Sequence, residues 1–463
     1  MDKKANVSNR RHPQFARRLP EDLTPLEQVP AQSLRAQALP RPDQTGQDRV
    51  ERIILSPVPL LSPVLPDVVQ VPDILVGRET VRRRVMMLGL RGVPNLQGGI
   101  EKHVEMLGQE LAVRGWDVEV LGRRQYMAEK GVSAWRGIRI TPLWAPKSVL
   151  LEAFVHTFCG VCYAAIRRPD ILHVHAIGPG LLVPLARLLG LKVVLTHHGY
   201  DYDREKWSPT AKRILKLGER LSMIFANARI AVSRDVAETM TRRYGTGIAH
   251  IPNGVTVRPS LVGKATLDRF GLQRRRYIVM VARFVPEKRQ TDLIAAFGKL
   301  KQTGWNLVLV GGADHSGTAY AREIEAMAAR VPNVVLTGFQ SGEDLAALFS
   351  QAGLFVLPSL HEGMPISLLE ALSYGLPVLA SDIVANHEVD LPPEDYFPAG
   401  DVEALTEALA RKIAEPFGQE NALKRIREVE KTYAWSSITR STLEVYGSVT
   451  ARGKATKKTK ERR

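Results

Sequence analysis

The amino-acid sequence predicts an α/β protein with two doubly wound, parallel-sheet domains that face each other across a cleft. Three observations lead there. The chain has 463 residues, 44% of them hydrophobic, too long for one ordinary core and sufficient for two domains with tails. Short β-branched runs alternate with amphipathic stretches, the pattern of parallel strands joined by right-handed helical crossovers. The alternation occurs twice, on either side of a turn signal, Ile-Pro-Asn-Gly-Val, at 251–255.

Residues 1–82 precede both series. They are rich in Pro, Arg, Gln and Asp, show no sustained period, and are expected to be a disordered extension. Within them Ile53–Val76 is apolar. It is broken by Pro57, Pro59, Pro63, Pro66 and Pro72 and carries Asp67 and Asp73, so it reads as an extended linker and not as a spanning helix. The first domain is expected over 83–254. Its strands are placed at 85–90, 117–121, 171–175, 192–197 and 229–233. A helix over 100–113 puts Ile100, Val104, Leu107 and Leu111 on one face. Val149–Ile166 reads as a further core helix, interrupted by Glu152, His156 and Gly160; contact with a membrane surface is the lesser reading. The second domain is expected over 255–434, with strands at 277–283, 306–311, 333–338, 353–358 and 377–381. A helix over 435–450 and a basic tail over 451–463 close the chain.

The formal net charge is +16, and it is uneven. Residues 1–20 carry six Lys/Arg against one acid, and residues 451–463 carry seven against one, so eleven of the sixteen charges sit in the two ends. The part between has no basic helix with interleaved aromatics, and nucleic acid is not an expected partner. The basic ends suit an anionic membrane surface, or simply stay solvated. Cys159 and Cys162 form a lone Cys-x-x-Cys in an apolar helical pattern. That rules out a disulfide framework and falls short of the roughly four ligands of a zinc site, so packing is expected. No apolar leader follows a charged start, so the setting is read as cytoplasmic, with peripheral contact at the inner face of a membrane.

In open α/β sheets, ligands bind outside the carboxyl ends of the strands, and the unusual residues fall there. Gly98 and Gly99 precede the helix at 100. They allow close approach of a ligand, and the free amides favour an anion; a plain tight turn is the other reading. The spacing is not Gly-x-Gly-x-x-Gly. The second strand leads into Arg123 and Arg124, where a ribose-binding acid would stand, so NAD is not expected. Arg283 and Lys288 follow an apolar strand. Two cations there suit a diphosphate and its departure as a leaving group, or are solvated loop residues. In His-Glu-Gly-Met-Pro (361–365), Pro365 and Gly375 bracket a helix over 365–374. Amides near Gly363 and Met364 would meet a phosphate at its start. Glu362 and Glu370 lie ~12 Å apart along such a helix, and a carboxylate can accept from two sugar hydroxyls at once. Alternatively, one caps the helix and the other has a local partner. Asp201-Tyr202-Asp203 has the Asp-x-Asp form of some metal sites but follows the His198–Gly199 turn, and no metal role is expected.

Taken together, E-G-M-P-x-S-L-L-E-A-L-S-x-G-x-P-V-L-A-S, R-x-x-P-E-K, the G-G-x-E loop, T-H-H-G and I-P-N-G-V resemble the signature of glycosyltransferase family 4, retaining enzymes with the GT-B fold of two Rossmann-like domains. The resemblance runs from Arg84 to Val449. It implies that Glu370 holds the donor ribose, that Glu362 contacts the transferring sugar, and that Arg283 and Lys288 bind the diphosphate with the amides around Gly363, Met364, Gly98 and Gly99. It places His198 beside the reacting sugar, Gly338 and Phe339 near the nucleobase, and Asp201, Lys206 and Trp207 toward the acceptor. The final helix would pack back on the first domain. The implied reaction moves a hexosyl unit from a nucleotide sugar to an acceptor hydroxyl, with retention, no cofactor and no required metal. A lipid-linked glycan in surface polysaccharide synthesis is the acceptor the family suggests. The alternatives are a nucleotide-sugar epimerase of related fold and a non-catalytic nucleotide-sugar-binding protein.

Overall fold

The computed structural model describes residues 82–460, apart from 128–132, 149–150, 205–206, 258–262, 301–303, 314–317 and 416–417. The expected N-terminal extension, save Arg82, and Lys206 lie outside the described residues.

The first sheet has eight strands: β1 (Arg84–Leu88), β2 (Asp117–Arg123), β3 (Ala134–Trp135), β4 (Ile138–Leu143), β5 (Ile171–His175), β6 (Val193–His197), β7 (Ala228–Ala231) and β8 (Ala249–His250). Their order is β3-β4-β2-β1-β5-β6-β7-β8, parallel throughout except for β3 against β4. The second has six parallel strands: β9 (Tyr277–Val281), β10 (Asn306–Val310), β11 (Val334–Gly338), β12 (Leu354–Leu357), β13 (Val378–Ser381) and β14 (Tyr396–Phe397). Their order is β11-β10-β9-β12-β13-β14. The order reverses between β1 and β5 in one sheet and between β9 and β12 in the other. Those are the switch points where a doubly wound fold opens a crevice for a ligand.

The central strands are buried on both faces, as parallel strands covered by helices must be. Val85–Leu88 and Leu354–Leu357 have no exposed surface. Four of the strands were not foreseen. β3, β8 and β14 are two residues each, too short to show a period. β4 alternates polar and apolar residues and contains Pro142, which demotes it as a central strand on sequence grounds.

Five helices shape the site and its surroundings. They are α1 (Gly99–Val113), α2 (Glu152–Arg167), α3 (Pro209–Phe225), α4 (Ile366–Ser373) and α5 (Trp435–Lys460). α3 starts where the Ser208 side chain accepts from the Ala211 amide, the usual N-cap arrangement. α4 is shorter by a residue at each end than the sequence suggested: Pro365 caps it, and the chain leaves through Gly375 at φ +70°. α5 runs ten residues past 450, into the stretch read as a tail. Its Trp435, Ile438, Tyr446 and Val449 share one core with Val104, Leu107 and Leu111 of α1 and with β1 and β2. The chain passes between the two sheets at 253–255 and again at 433–435, where Val255 bridges Ala434 and its amide donates to the Tyr433 carbonyl at 2.8 Å. Among the described residues, no helix is long and apolar enough to cross a membrane.

Candidate active site

The second sheet delivers a compact set of charges. The loop after β9 carries Arg283 and Lys288, and the loop after β12 carries Glu362. Lys288 Nζ donates to Glu362 Oε1 at 2.5 Å, with both side chains largely buried. Burial pulls the Lys288 ammonium below its ordinary range, Glu362 opposes that, and the neighbouring Arg283 and Arg204 add to it. A cation so placed is held by one carboxylate and pressed by two guanidiniums, so an arriving anion finds a ready partner. Just beyond, α4 is buried on nearly every side. Only Ser367, Glu370 and Tyr374 are half-buried, and their spacing places them on one face. Glu370 therefore stands on the less buried side of α4.

The first sheet delivers histidines. His175 ends β5, His198 follows the end of β6, and His103 sits on the second turn of α1. His175 Nδ1 lies 3.1 Å from His198 Nε2, and the His103 and His198 rings meet edge to face at 4.9 Å. Burial brings the His103 imidazole down to about 4, and burial with the neighbouring rings holds His175 and His198 well below the usual range. All three are therefore neutral near pH 7. Their ligand nitrogens lie within 4.8 Å of one another, close enough to hold a metal ion. Asp201 and Asp203 are not part of that grouping; Asp201 pairs with Arg204 at 3.2 Å.

The adjacent His197 is used differently. Its Nδ1 accepts from the Gly199 amide at 3.2 Å, and its Nε2 faces Glu219 of α3 at 3.4 Å. Glu219 also accepts from Tyr202, Arg243 and Tyr244. This buried carboxylate fixes the loop that carries His198 and Asp201.

The two halves meet at glycines. A Cβ on Gly363 would lie 1.8 Å from the His198 carbonyl oxygen, and one on Gly199, at φ +125°, would lie 2.8 Å from Gly363 Cα. No side chain fits at either place, so the loops after β6 and β12 touch backbone to backbone. Asn253 makes a second tie. Its Oδ1 pairs with His103 Nδ1 at 2.9 Å, and its Nδ2 donates to the Met364 carbonyl at 3.0 Å. Gly98 is required for another reason: at φ +156°, a Cβ there would lie 2.0 Å from Glu101 Oε2. Burial alone would raise the Glu101 carboxyl, but the Arg91 guanidinium at 3.0 Å more than offsets it and holds it low. Next to it Gly99 comes within 3.9 Å, at its would-be Cβ, of Ile366 at the start of α4. The Gly-Gly end of α1 and the first turn of α4 thus face each other.

The fold brings together Gly98, Gly99, His198, Arg283, Lys288, Glu362, Gly363 and Met364, and Glu370 follows along α4. Gly338 and Phe339 stand apart, at the end of the outermost strand β11, where Phe339 is 45% exposed. Trp207 is half-buried just ahead of α3, and its amide donates to the Arg204 carbonyl. His103, His175, Asn253 and Glu219 were not singled out from the sequence. The one signal for His175 was a polar residue in an otherwise buried strand, Ile-Leu-His-Val-His. Asn253 read as part of a turn and of the Ile-Pro-Asn-Gly-Val pattern, with no role of its own.

Comparison with known proteins agrees with this geometry. Residues 97–258 match the family Glycosyltransferase Family 4, and residues 275–415 match Glycosyl transferases group 1. The chain is similar to the MMP alpha-(1->4)-mannosyltransferase of Mycolicibacterium hassiacum, at 27% identity over 80% of this chain and 99% of that one. It is also similar to the GDP-mannose-dependent alpha-(1-6)-phosphatidylinositol monomannoside mannosyltransferase of Mycolicibacterium smegmatis, at 28% identity over 72% and 90%. Among solved structures, sucrose-phosphate synthase from Thermosynechococcus elongatus superposes with a TM-score of 0.69 at 23% identity, over 80% of this chain and all of that one. With two opposed Rossmann-like sheets in the GT-B arrangement and both halves of the family pattern in order, the chain belongs to glycosyltransferase family 4 and is a nucleotide-sugar-dependent glycosyltransferase.

Proposed function

We propose that the protein transfers a hexosyl unit, with retention at the anomeric carbon, from a nucleotide sugar to a hydroxyl of a lipid-linked glycan in surface polysaccharide assembly. The observation that supports this most is the Lys288–Glu362 pair, set where the start of α4 meets the neutral His198 across the Gly199–Gly363 contact. The donor diphosphate takes Lys288, Arg283 and the amides around Gly363 and Met364. Glu362, displaced from Lys288, turns to the transferring sugar. Glu370 accepts from the two ribose hydroxyls, and the exposed Phe339 ring, beside Gly338, offers a face to the nucleobase. Neutral His198 exchanges hydrogen bonds with the sugar without bringing a second positive charge to a developing oxocarbenium ion.

In the chemical step the bond from the anomeric carbon to the diphosphate oxygen breaks and a bond from that carbon to the acceptor oxygen forms on the same face. The acceptor proton passes to the departing diphosphate, whose charge Lys288 and Arg283 stabilise. Asp201, Lys206 and Trp207 belong to the acceptor side. In this reading no cofactor is used and the cations supply the charge stabilisation without a metal. The lipid-linked acceptor is supported by the likeness to a phosphatidylinositol monomannoside mannosyltransferase.

The test is a thermal-shift panel of UDP-, GDP-, dTDP- and ADP-sugars, followed by transfer from the stabilising donor to a bacterial lipid extract with and without EDTA. A ligand that binds only the folded state raises the melting temperature. One donor family should do so, and lipid-extractable label should appear in both buffers. Donor consumed without label in any acceptor would favour an epimerase, and dependence on a divalent ion would assign a metal to the histidine cluster.

A further inference from the structure

Three imidazoles meet at the carboxyl end of the first sheet without satisfying one another. His103, His175 and His198 each place a ring nitrogen within 4.8 Å of the other two, and His175 Nδ1 lies 3.1 Å from His198 Nε2. Two nitrogens held at ~2.0–2.1 Å by one tetrahedral zinc ion lie ~3.3 Å apart, so this pair already has the spacing of two ligands. His198 is the least buried of the three and sits on a loop, so it is the ring with room to turn toward the third.

Within β5 the neighbouring histidine shows the contrast. His173 has both nitrogens occupied, by Tyr446 and Thr196 at 2.7 Å each. His175 Nε2 is buried and has no hydrogen-bond partner, so this ring carries coordinating capacity that the protein itself does not use. His103 is prepared in another way. Asn253 Nδ2 donates to the Met364 carbonyl, so Asn253 Oδ1 faces His103 Nδ1 as an acceptor, at 2.9 Å. The proton therefore stands on Nδ1 and the lone pair on Nε2. A hydrogen bond of this kind fixes the tautomer and the ring orientation of metal-bound histidines.

We propose that His103, His175 and His198 bind one divalent transition-metal ion of the Zn²⁺ type, and that its occupancy reversibly blocks glycosyl transfer. An all-imidazole set suits Zn²⁺, Co²⁺, Ni²⁺ or Cu²⁺ and serves Mg²⁺ or Ca²⁺ poorly, since these take oxygen ligands. Among the described residues, no carboxylate or thiol joins the three rings. Three protein ligands leave the ion an open position, and no anionic ligand offsets its charge, so the ion exchanges and a chelator removes it. His198 stands at the Gly199–Gly363 contact, beside the loop that carries Glu362. Coordination takes its lone pair and pins the ring, so the same ring no longer serves the transferring sugar. The block rests on the place given to His198 in the proposed function; the binding of the ion does not.

The experiment uses the full chain without an affinity tag, stripped of metal by EDTA and dialysis. Equilibrium dialysis should find one Zn²⁺ per chain, undisturbed by a large excess of Mg²⁺. Co²⁺ at the same place should show the visible absorption of a tetrahedral nitrogen site. His103→Gln and His175→Gln, each checked by circular dichroism, should weaken binding about a hundredfold, and Asn253→Ala about tenfold. Anomalous scattering from crystals grown with equimolar Zn²⁺ locates the ion without any substitution. In transfer assays Zn²⁺ should inhibit at the concentrations that fill the site, and EDTA should restore the parent rate. The proposal is overturned if no ion binds one-to-one, or if the anomalous peak lies away from the three rings. A thiolate charge-transfer band from Co²⁺ would overturn it too, by placing the ion at Cys159 and Cys162. Zn²⁺ bound at the rings with transfer unchanged or faster would overturn the block, and with it the position of His198 beside the sugar. A chain that binds Zn²⁺ there but transfers no hexose would support the site and count against the proposed function.

Discussion

Lys288 and Glu362 hold each other at 2.5 Å in a largely buried place, and this pairing governs what substitutions there should do. In the proposed reaction, removing the cation takes charge stabilisation from the leaving diphosphate. Lys288→Ala should lower the single-turnover rate by about a hundredfold, the usual scale for losing one such group, while donor affinity changes much less. A single-turnover rate equal to that of the parent would remove the leaving-group role. Glu370 lies on the half-open face of α4 with Ser367 and Tyr374. Glu370→Ala should weaken donor binding about tenfold, through loss of hydrogen bonds to a diol, with little change in saturated turnover. Calorimetry showing parent-like donor affinity would contradict the ribose assignment. At this scale the sequence offered candidates where unusual residues are packed into short motifs. Glu362, Gly363, Met364 and Glu370 stand within nine residues of one another, and Arg283 and Lys288 within six. It was silent on His103 and His175, because their partner His198 comes from another element and only folding brings the three rings together.

Among the elements, the linker at 251–255 does more than turn the chain. Asn253 joins His103 of α1 to the Met364 carbonyl ahead of α4, so it couples the histidine cluster to the loop proposed to meet the diphosphate. Asn253→Ala should leave the fold intact and reduce kcat/KM about tenfold or more, because misplacement of a catalytic group costs rate steeply. Steady-state kinetics beside a circular dichroism spectrum would check this; parent-like kinetics would make Asn253 merely structural. The long central strands were readable because burial on both faces leaves continuous apolar runs. β3, β8 and β14 have two residues each and no period to read. The continuation of α5 past 450 was missed because its Lys- and Thr-rich end, Lys454 to Lys460, carries no apolar stripe.

For the molecule as a whole, four buried histidines and the half-buried His198, among the described residues, set a pH dependence. His103, His156 and His173 are held by burial to about 4, about 4 and about 3, and His175 and His198 well below the usual range. Above pH 6.5 the folded and unfolded chains both carry neutral imidazoles, and the contribution to stability is complete. Between 6.5 and about 4 the unfolded chain takes up protons that the folded chain refuses, so stability falls as the pH falls. The melting temperature should drop steadily over that window, and His103→Gln should flatten part of the slope. A flat profile from pH 7 to 4.5 would mean that the rings are not held neutral as the geometry requires.

The pairing of two opposed sheets was legible in the residues alone, through two strand series, with the candidate-site motifs at their carboxyl ends. The outward face of α2, with Phe154, Phe158 and Ile166 exposed, was only half legible: the sequence favoured a core helix there and kept membrane contact as the lesser reading. The measurement that bears most directly on the proposed chemistry is the anomeric configuration of the transfer product, read by proton NMR with the donor that stabilises the protein. An α-linked product from an α-linked nucleotide sugar is the expected result. A β-linked product from that donor would contradict front-face transfer at Lys288 and Glu362.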